Sequence, residues 1–85
     1  MHYLYLLKST VDHSHYIGTT DDLKRRFAQH NAGFSKATKS KRPRELCYYE
    51  AYRLKPDALR REKQLKRFAK SYSMLIRRIK ESIDG

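Results

Sequence analysis

One predicted helix carries charged and titratable side chains on the face that should be buried. Four of its residues share one face because they follow i, i+3, i+4, i+7 spacing: Leu23, Arg26, Phe27 and His30. Burying a guanidinium or an imidazole costs free energy unless each group has a partner. A fixed cation and a titratable ring on an otherwise apolar face therefore indicate a functional site rather than a plain core.

A second predicted helix brings a carboxylate toward the interior. Its apolar stripe contains Ala58, Leu65 and Ala69, and Glu62 falls between them. An inward carboxylate could form a buried ion pair with Arg26 or with a neighbouring lysine. It could equally be a metal ligand, since hard divalent cations prefer carboxylate oxygen. The residues alone leave both interpretations open.

Basic side chains are concentrated in one loop and in the second helix. The segment 34–43 has no periodicity and contains four of them: Lys36, Lys39, Lys41 and Arg42. The helix and the residue that follows it add six more: Arg60, Arg61, Lys63, Lys66, Arg67 and Lys70. Both sets could be ordinary solvated surface, but cations separated by hydroxyl residues also suit contact with a phosphate backbone. We expect Arg61 and Lys66 to join the loop in such a surface.

The length and the net charge of the chain limit the classes of protein to which it can belong. The 85 residues predict one domain with a thin core. Twenty Lys and Arg against nine Asp and Glu give a net charge of +11, which indicates a polyanionic partner, nucleic acid first and an anionic membrane second. The sequence lacks the roughly 20 consecutive apolar residues of a membrane span and has no signal peptide. We therefore expect a cytoplasmic protein, with nucleoid association as the alternative if it is bacterial.

Three strands are predicted. Residues 1–8 alternate with apolar side chains on both faces, which is typical of a central strand. A polar connection leads to a second strand at 15–18, where Gly18 is expected to end the strand and let the chain bend. The third strand covers 45–52 and contains Cys47, the only cysteine, which we interpret as a small core residue.

The helices are predicted from capping and periodicity. Thr20 is expected to cap the first helix, with Asp21 and Asp22 in its first turn, and residues 31–33 stop it. The second helix begins at about Pro56 and runs to about residue 68 or 69. Ser71 or Ser73 is expected to cap a last helix whose apolar residues pack on the sheet: Leu75, Ile76, Ile79 and Ile83. The predicted order β-β-α-β-α-α gives an α+β domain with a mostly antiparallel three-stranded sheet flanked by helices.

Several short motifs occur in a specific order along the chain: Tyr3-Leu4-Tyr5, Tyr16-Ile17-Gly18, Arg26 with His30, and Arg60-Arg61-Glu62-Lys63. Together they resemble the GIY-YIG nuclease domain, and the resemblance runs from about residue 3 to residue 67. The layout is most similar to that of the small stand-alone bacterial members. The resemblance implies the GIY-YIG endonuclease fold and metal-dependent hydrolysis of phosphodiester bonds, with DNA favoured over RNA as the partner and no membrane association.

The resemblance also implies roles for individual residues. Tyr16 matches the tyrosine near the attacking water, Tyr5 matches the tyrosine beside it, and Arg26 matches the arginine on the scissile phosphate. His30 stands where the family has histidine or tyrosine, and Glu62 matches the single metal-binding glutamate. A single carboxylate implies one divalent cation, Mg²⁺ or Mn²⁺, held also by water and substrate.

The expected chemistry suits these residue types. A guanidinium and a divalent cation both stabilise the negative charge that grows on a phosphate during attack. Tyrosine is a poor base at its reference pKa of about 10, but a neighbouring arginine and a metal favour the phenolate. Tyr5, Tyr16 and His30 all remain candidates for the general base.

Two features depart from the family pattern. The first motif is Tyr-Leu-Tyr rather than Gly-Ile-Tyr, and no asparagine follows Asn31, although many family nucleases carry one near the C-terminus. Family nucleases also commonly gain specificity from an appended DNA-binding domain, for which 85 residues leave no room. We therefore expect an endonuclease of low sequence specificity, acting in DNA repair or recombination. The alternative is a non-catalytic nucleic-acid-binding module, and a third interpretation is a basic protein that docks on acidic partners or membranes.

Overall fold

The computed structural model describes residues 1–85, and a three-stranded antiparallel sheet lies at its centre. The strand order is β2-β1-β3, so the first strand is central, as its two apolar faces predict. The elements follow in the order β1 (His2–Ser9), β2 (His15–Thr20), α1 (Leu23–Asn31), α2 (Lys36–Lys39), β3 (Arg44–Tyr52), α3 (Lys55–Arg67), α4 (Ala69–Arg78) and α5 (Lys80–Asp84). The predicted α+β class and antiparallel sheet are confirmed.

One face of the sheet supports the hydrophobic core. Six buried apolar residues of β1, β2 and the last three helices form it: Leu4, Leu6, Ile17, Leu65, Leu75 and Ile83. Ile76, Ile79 and Cys47 are partly buried against this cluster, which confirms their predicted packing. Burying apolar surface is the main stabilising contribution, and this face carries most of it.

The other face of the sheet carries the residues whose side chains could take part in a reaction. Tyr5 lies directly opposite Gly18 of β2 and Tyr49 of β3, so the three share this face. Tyr16 belongs to the same face, opposite Leu7. Helix α1 covers this side and directs its buried residue, His30, onto the strands.

The turn from β2 into α1 differs from the prediction. β2 continues through Gly18 to Thr20, so the glycine does not end the strand. Helix α1 begins at Leu23, and its N-cap is Asp22, whose carboxylate accepts a hydrogen bond from the Arg25 backbone N–H at 3.1 Å. The predicted Thr20 cap is therefore wrong, and neither Asp21 nor Asp22 lies inside the first turn. Thr20 instead bonds the backbone of Asp22 and shapes the turn that precedes the cap.

The other corrections concern short helices. The predicted irregular segment 34–43 contains α2, and the predicted last helix is two helices, α4 and α5. The extended backbone of Phe68 separates α3 from α4 and precedes the first turn of α4, so neither Ser71 nor Ser73 caps that helix. Ala69 is exposed and does not extend the buried stripe of α3.

The helices are all short or polar. None of them has the length and apolar character that crossing a membrane requires.

Candidate active site

The hairpin β1–β2 sets two tyrosines beside each other. The ring centroids of Tyr5 and Tyr16 are 6.4 Å apart. Gly18 makes room for this pair because a Cβ there would lie 2.7 Å from Cζ of Tyr5 and 3.1 Å from Cε2 of Tyr16. The glycine is needed for close approach of the Tyr5 ring, and not for a bend in the chain.

His30 of α1 lies between these tyrosines and α2. Its ring centroid is 5.6 Å from that of Tyr5 and 5.0 Å from that of Tyr16. Nε2 is 2.7 Å from the Tyr5 hydroxyl oxygen, and Nδ1 is 2.8 Å from Oγ1 of Thr38. Since the side chain is completely buried and both nitrogens are engaged, His30 has no free nitrogen for an external ligand.

Burial keeps His30 neutral near pH 7. Burial first, and the positive charges of Arg26 and Arg44 second, together lower the pKa of the imidazole to about 4. A neutral imidazole donates from one nitrogen and accepts at the other. The ring is therefore suited to link Tyr5 to Thr38 through two hydrogen bonds.

Tyr5 is held as a neutral phenol. Burial raises its pKa, and although N–H donation and charge from Arg26 act in the opposite direction, the net shift is upward. Nε2 of His30 is the acceptor within hydrogen-bond distance of the Tyr5 hydroxyl, so the Tyr5 proton is directed toward it. Tyr5 thus orients the site and is poorly suited to accept a proton from water.

Arg26 lies in the site without a carboxylate partner. It is half-buried, and its Nη1 donates to Oε1 of Gln29 at 3.2 Å. It lies close enough to Tyr5 and His30 to shift both their pKa values. The guanidinium is therefore positioned by its own helix and keeps donors free for an anion.

Glu62 of α3 reaches the same cluster from the β2 side. Its side chain is 24% exposed, and its charge acts on Tyr5. Lys66 contacts Oε2 of Glu62 at 3.2 Å and lies 5.7 Å from the ring centroid of Tyr16. The structure pairs Glu62 with a lysine one turn later, and not with Arg26.

The donor set fits one kind of metal site. No group of three His, Cys, Asp or Glu residues lies together, so the chain does not form a complete protein cage. Glu62 is a single carboxylate with Lys66 on only one of its oxygens. Mg²⁺ is often held by one or two carboxylates, several waters and substrate phosphates, and Glu62 fits that arrangement.

The basic loop adjoins the site through α2. Thr38, buried in the middle of α2, holds His30, while Lys36 and Lys39 are exposed on the same helix. Lys41 pairs with Asp12 of the β1–β2 connection at 3.0 Å. Arg42 is exposed, and its Nε donates to the backbone carbonyl of Lys39 at 2.8 Å. The loop therefore places cations next to α2 and the candidate site.

Arg61 does not join this surface. Its Nε contacts both oxygens of Glu50 on β3 at 3.1 and 3.2 Å, and Nη1 donates to Gln64 at 2.8 Å. Glu50 lies opposite Leu4, a core residue, so Arg61 points to the core face of the sheet. Of the two helix cations expected in the nucleic-acid surface, only Lys66 lies in the site.

Two residues that support His30, Thr38 and Arg44, could not be recognised from the sequence. Thr38 looks like any hydroxyl residue in a polar loop, and no pattern distinguishes it. Arg44 is 4% exposed, donates to Ser14 at 3.4 and 3.5 Å, and contributes positive potential at His30. Asn31 holds the backbone of Arg44 with two hydrogen bonds of 2.8 and 2.9 Å, which connects the end of α1 to the start of β3.

Comparison with known proteins agrees with this geometry. Residues 1–75 match the family model described as the GIY-YIG catalytic domain. A UPF0213 protein of Staphylococcus haemolyticus is 40% identical over 74 residues, which cover 86% of this chain and 89% of that protein. A UPF0213 protein of Listeria monocytogenes is 37% identical over 84 residues, covering 95% of this chain and 92% of its own length.

A solved structure has the same fold. The solution NMR structure of a UPF0213 protein from Bacillus halodurans is 32% identical in sequence, with a TM-score of 0.55. The match covers 87% of this chain and 81% of that one.

Proposed function

Because the chain belongs to the GIY-YIG catalytic domain family, whose members are typically nucleases, we propose that it is an endonuclease that hydrolyses phosphodiester bonds of DNA. One divalent cation, Mg²⁺ or Mn²⁺, would assist it. The observation that carries the proposal is the convergence of two tyrosines, a buried neutral histidine, an unpaired arginine and one carboxylate from four different elements. No packing requirement explains an arginine and a glutamate that face the same tyrosine.

Arg26 would bind the scissile phosphate. Its guanidinium has donors in a planar fork that matches phosphate oxygens, and Gln29 limits its movement. Donors already in place lower the barrier because they need no reorganisation when charge develops on the phosphate. Glu62 would hold the divalent cation, which supplies further stabilisation of that charge when bound.

Tyr16 is the strongest candidate for the group that takes a proton from the attacking water. Tyr5 and His30 are buried and occupied by each other, whereas Tyr16 is half-buried and its hydroxyl has no protein partner. Lys66 places a positive charge beside its ring. Tyr5 and His30 then act as positioning residues, because the hydrogen bond between them fixes the Tyr5 ring next to Tyr16.

The exposed cations of the loop would contact the phosphate backbone on either side of the cut. Lys36 and Lys39 lie on α2, which holds His30 through Thr38, and Arg42 follows that helix, so a strand bound to them would run beside the candidate site. Such contacts position a substrate without reading its sequence, which predicts low sequence specificity. DNA is favoured over RNA by the family membership, and roles in cytoplasmic DNA repair or recombination would suit such an enzyme.

Cleavage assays on a panel of nucleic acids test the proposal. Linear, nicked and branched DNA and a matched RNA are incubated with the purified protein in Mg²⁺, in Mn²⁺ and in EDTA. We expect cleavage of DNA with either metal and none in EDTA. Arg26→Ala should abolish it, while Arg25→Ala, which removes an exposed arginine of the same helix, should leave it unchanged. Cleavage that survives EDTA or Arg26→Ala would contradict the proposal.

One observation favours a second candidate function. The Lys66 ammonium already neutralises Glu62, so the fold is satisfied without a metal. A nucleic-acid-binding module without catalysis would show salt-sensitive binding that EDTA does not change, and no cleavage of any substrate.

A further inference from the structure

A groove leads away from the candidate site along β2. It has a volume of about 450 Å³ and lies between β2 and the corner where α3 meets α4. Its lining includes Tyr16, Ile17, Leu65, Lys66, Arg67 and Tyr72. The volume is within the range of small-ligand sites, roughly 300–1,000 Å³. Tyr16 and Lys66 belong to both the groove and the candidate site, so the groove opens directly into that site.

The groove combines an apolar floor with cations and aromatic rings. Ile17 and Leu65 are 7% and 2% exposed and form the floor. Arg67 supplies a positive charge without a carboxylate partner, and Lys66 supplies a second that is paired with Glu62. Tyr72 packs beside His15 of β2 with a ring-centroid separation of 6.2 Å. Nothing in the core requires two cations at this position.

An exposed aromatic residue extends the groove at its outer end. Phe68, which separates α3 from α4, is 54% exposed. The Arg67 guanidinium lies 5.7 Å from its ring centroid. A second cleft of about 330 Å³ continues from these two residues past Lys63 and Arg60. Arg67 lines both cavities, so the surface is continuous from Tyr16 to the outside of α3.

Alternating cations and aromatic faces suit one chemical class of ligand. Unpaired nucleotides present phosphates to cations and base faces to aromatic rings, whereas a duplex keeps its base faces stacked inside. A merely solvated helical face would account for each of these residues singly, but here the cations, Phe68 and the rings of Tyr16 and Tyr72 lie along one continuous surface.

We propose that this groove binds an unpaired DNA strand that leaves the candidate site past Tyr16, with Phe68 as a stacking surface and Arg67 as a phosphate contact. The preferred substrate class is then duplex DNA that carries a single-stranded branch next to the cut. The inference rests on the proposed function for the position of the cut, but not for the binding itself.

Binding without metal tests the groove separately from catalysis. Fluorescence anisotropy in EDTA compares a blunt duplex with the same duplex bearing a single-stranded tail. We expect the wild type to bind the tailed duplex more tightly, and Arg67→Ala/Phe68→Ala to bind it about tenfold more weakly while binding the blunt duplex as before. The matched control is Arg77→Ala/Leu59→Ala, which removes an exposed arginine and an exposed apolar residue outside the groove.

The outcomes separate this inference from the proposed function. A tail preference that disappears in Arg67→Ala/Phe68→Ala supports the groove, even if the protein cleaves nothing in Mg²⁺. The groove assignment is overturned if the wild type binds tailed and blunt duplexes equally tightly, even if it cleaves DNA. It is also overturned if both double variants lose the same affinity for the tailed duplex. Thermal unfolding of both variants confirms that they fold, since all four positions are exposed at the surface.

Discussion

At the scale of single residues, His30 links the stability of the protein to pH. The pKa of His30 is lowered from about 6.5 to about 4 in the folded state. Between these two pH values the imidazole is therefore protonated in the unfolded chain but mostly neutral in the folded protein. The contribution of the neutral imidazole to stability is present above pH 6.5 and is lost as the pH falls toward 4. The lowered pKa of His15, which burial causes first and the charge of Lys8 second, acts in the same direction.

The free energy of unfolding should therefore fall with acidification. We expect His30 to account for a loss of about 2 kcal/mol between pH 7 and pH 5, measured by urea denaturation. In His30→Gln this part of the loss should be absent, and only the smaller contribution of His15 should remain. An unchanged pH dependence in His30→Gln would show that His30 is not held neutral.

The two tyrosines should respond differently to loss of the hydroxyl. Tyr5→Phe leaves Nε2 of the buried His30 without a partner, which should cost about 1–3 kcal/mol of stability. Tyr16→Phe removes a hydroxyl without a protein partner, so stability should change by less than about 0.5 kcal/mol while the cleavage rate falls by about a hundredfold or more. Chemical denaturation and single-turnover cleavage measure the two effects. Equal activity of Tyr16→Phe and wild type would remove Tyr16 from the mechanism.

The sequence predicts the main residues of the site but not their supports. The helix face with Arg26 and His30 and the inward Glu62 follow from periodicity, because each side chain interrupts an apolar stripe. Thr38 bonds His30 from 8 positions along the chain, and the charge of Arg44 acts on it from 14 positions away, distances at which no periodic pattern acts. Gly18 was assigned to a bend because glycine permits bends, whereas its lack of a side chain is what the Tyr5 ring requires.

At the scale of elements, one ion pair fixes the orientation of α3. Arg61 contacts Glu50 on β3, whose carboxylate also accepts hydrogen bonds from the hydroxyls of Tyr48 and Tyr52. The ion pair holds one side of the helix against the core face of the sheet, and the next residue, Glu62, is thereby directed to the candidate site. Burial raises the pKa of Glu50, but the tyrosine hydroxyls and Arg61 lower it more, so the carboxylate stays charged.

Removing Arg61 should destabilise the protein more than removing its neighbour Arg60. The side chains of Arg61 and Glu50 are 25% and 16% exposed, and Arg61→Met leaves a half-buried carboxylate with only its tyrosine partners. We expect a loss of about 2 kcal/mol in urea denaturation. Arg60→Met breaks an exposed pair with Asp57 and should cost less than about 0.5 kcal/mol. Similar losses in both variants would mean that the Glu50 contact does not anchor α3.

Long periodic elements are predictable here, and short connections are not. The three strands and helices α1 and α3 appear at the expected places because each has a clear apolar pattern. Helix α2 has four residues, too few to show a period, and it is stabilised by the contact between Thr38 and His30. The break at Phe68 has no glycine or proline to mark it; the extended backbone there redirects the chain into α4, whose Leu75 joins the core cluster.

At the scale of the whole molecule, a net charge of +11 should dominate affinity for DNA. Binding to a blunt duplex in EDTA should weaken by about a hundredfold or more between 50 and 200 mM KCl, as counterions displaced from DNA compete with the protein. Replacing Lys36, Lys39 and Arg42 by alanine should reduce the slope of log K against log salt by about 2–3. Alanine at Lys55, Arg77 and Lys80, which removes the same charge elsewhere, should change it less. Equal slopes would mean that the loop is not the contact surface.

Glu62 is 24% exposed and its charge acts on Tyr5, so metal dependence of the proposed activity would rest on its carboxylate. The most direct measurement is the single-turnover rate of DNA cleavage as a function of Mg²⁺ concentration, for wild type, Glu62→Gln and the control Glu81→Gln, an exposed glutamate of α5. We expect saturable Mg²⁺ activation of wild type and Glu81→Gln, and a rate at least about a hundredfold lower for Glu62→Gln. Wild-type cleavage that needs no metal, or full activity in Glu62→Gln, would contradict this expectation.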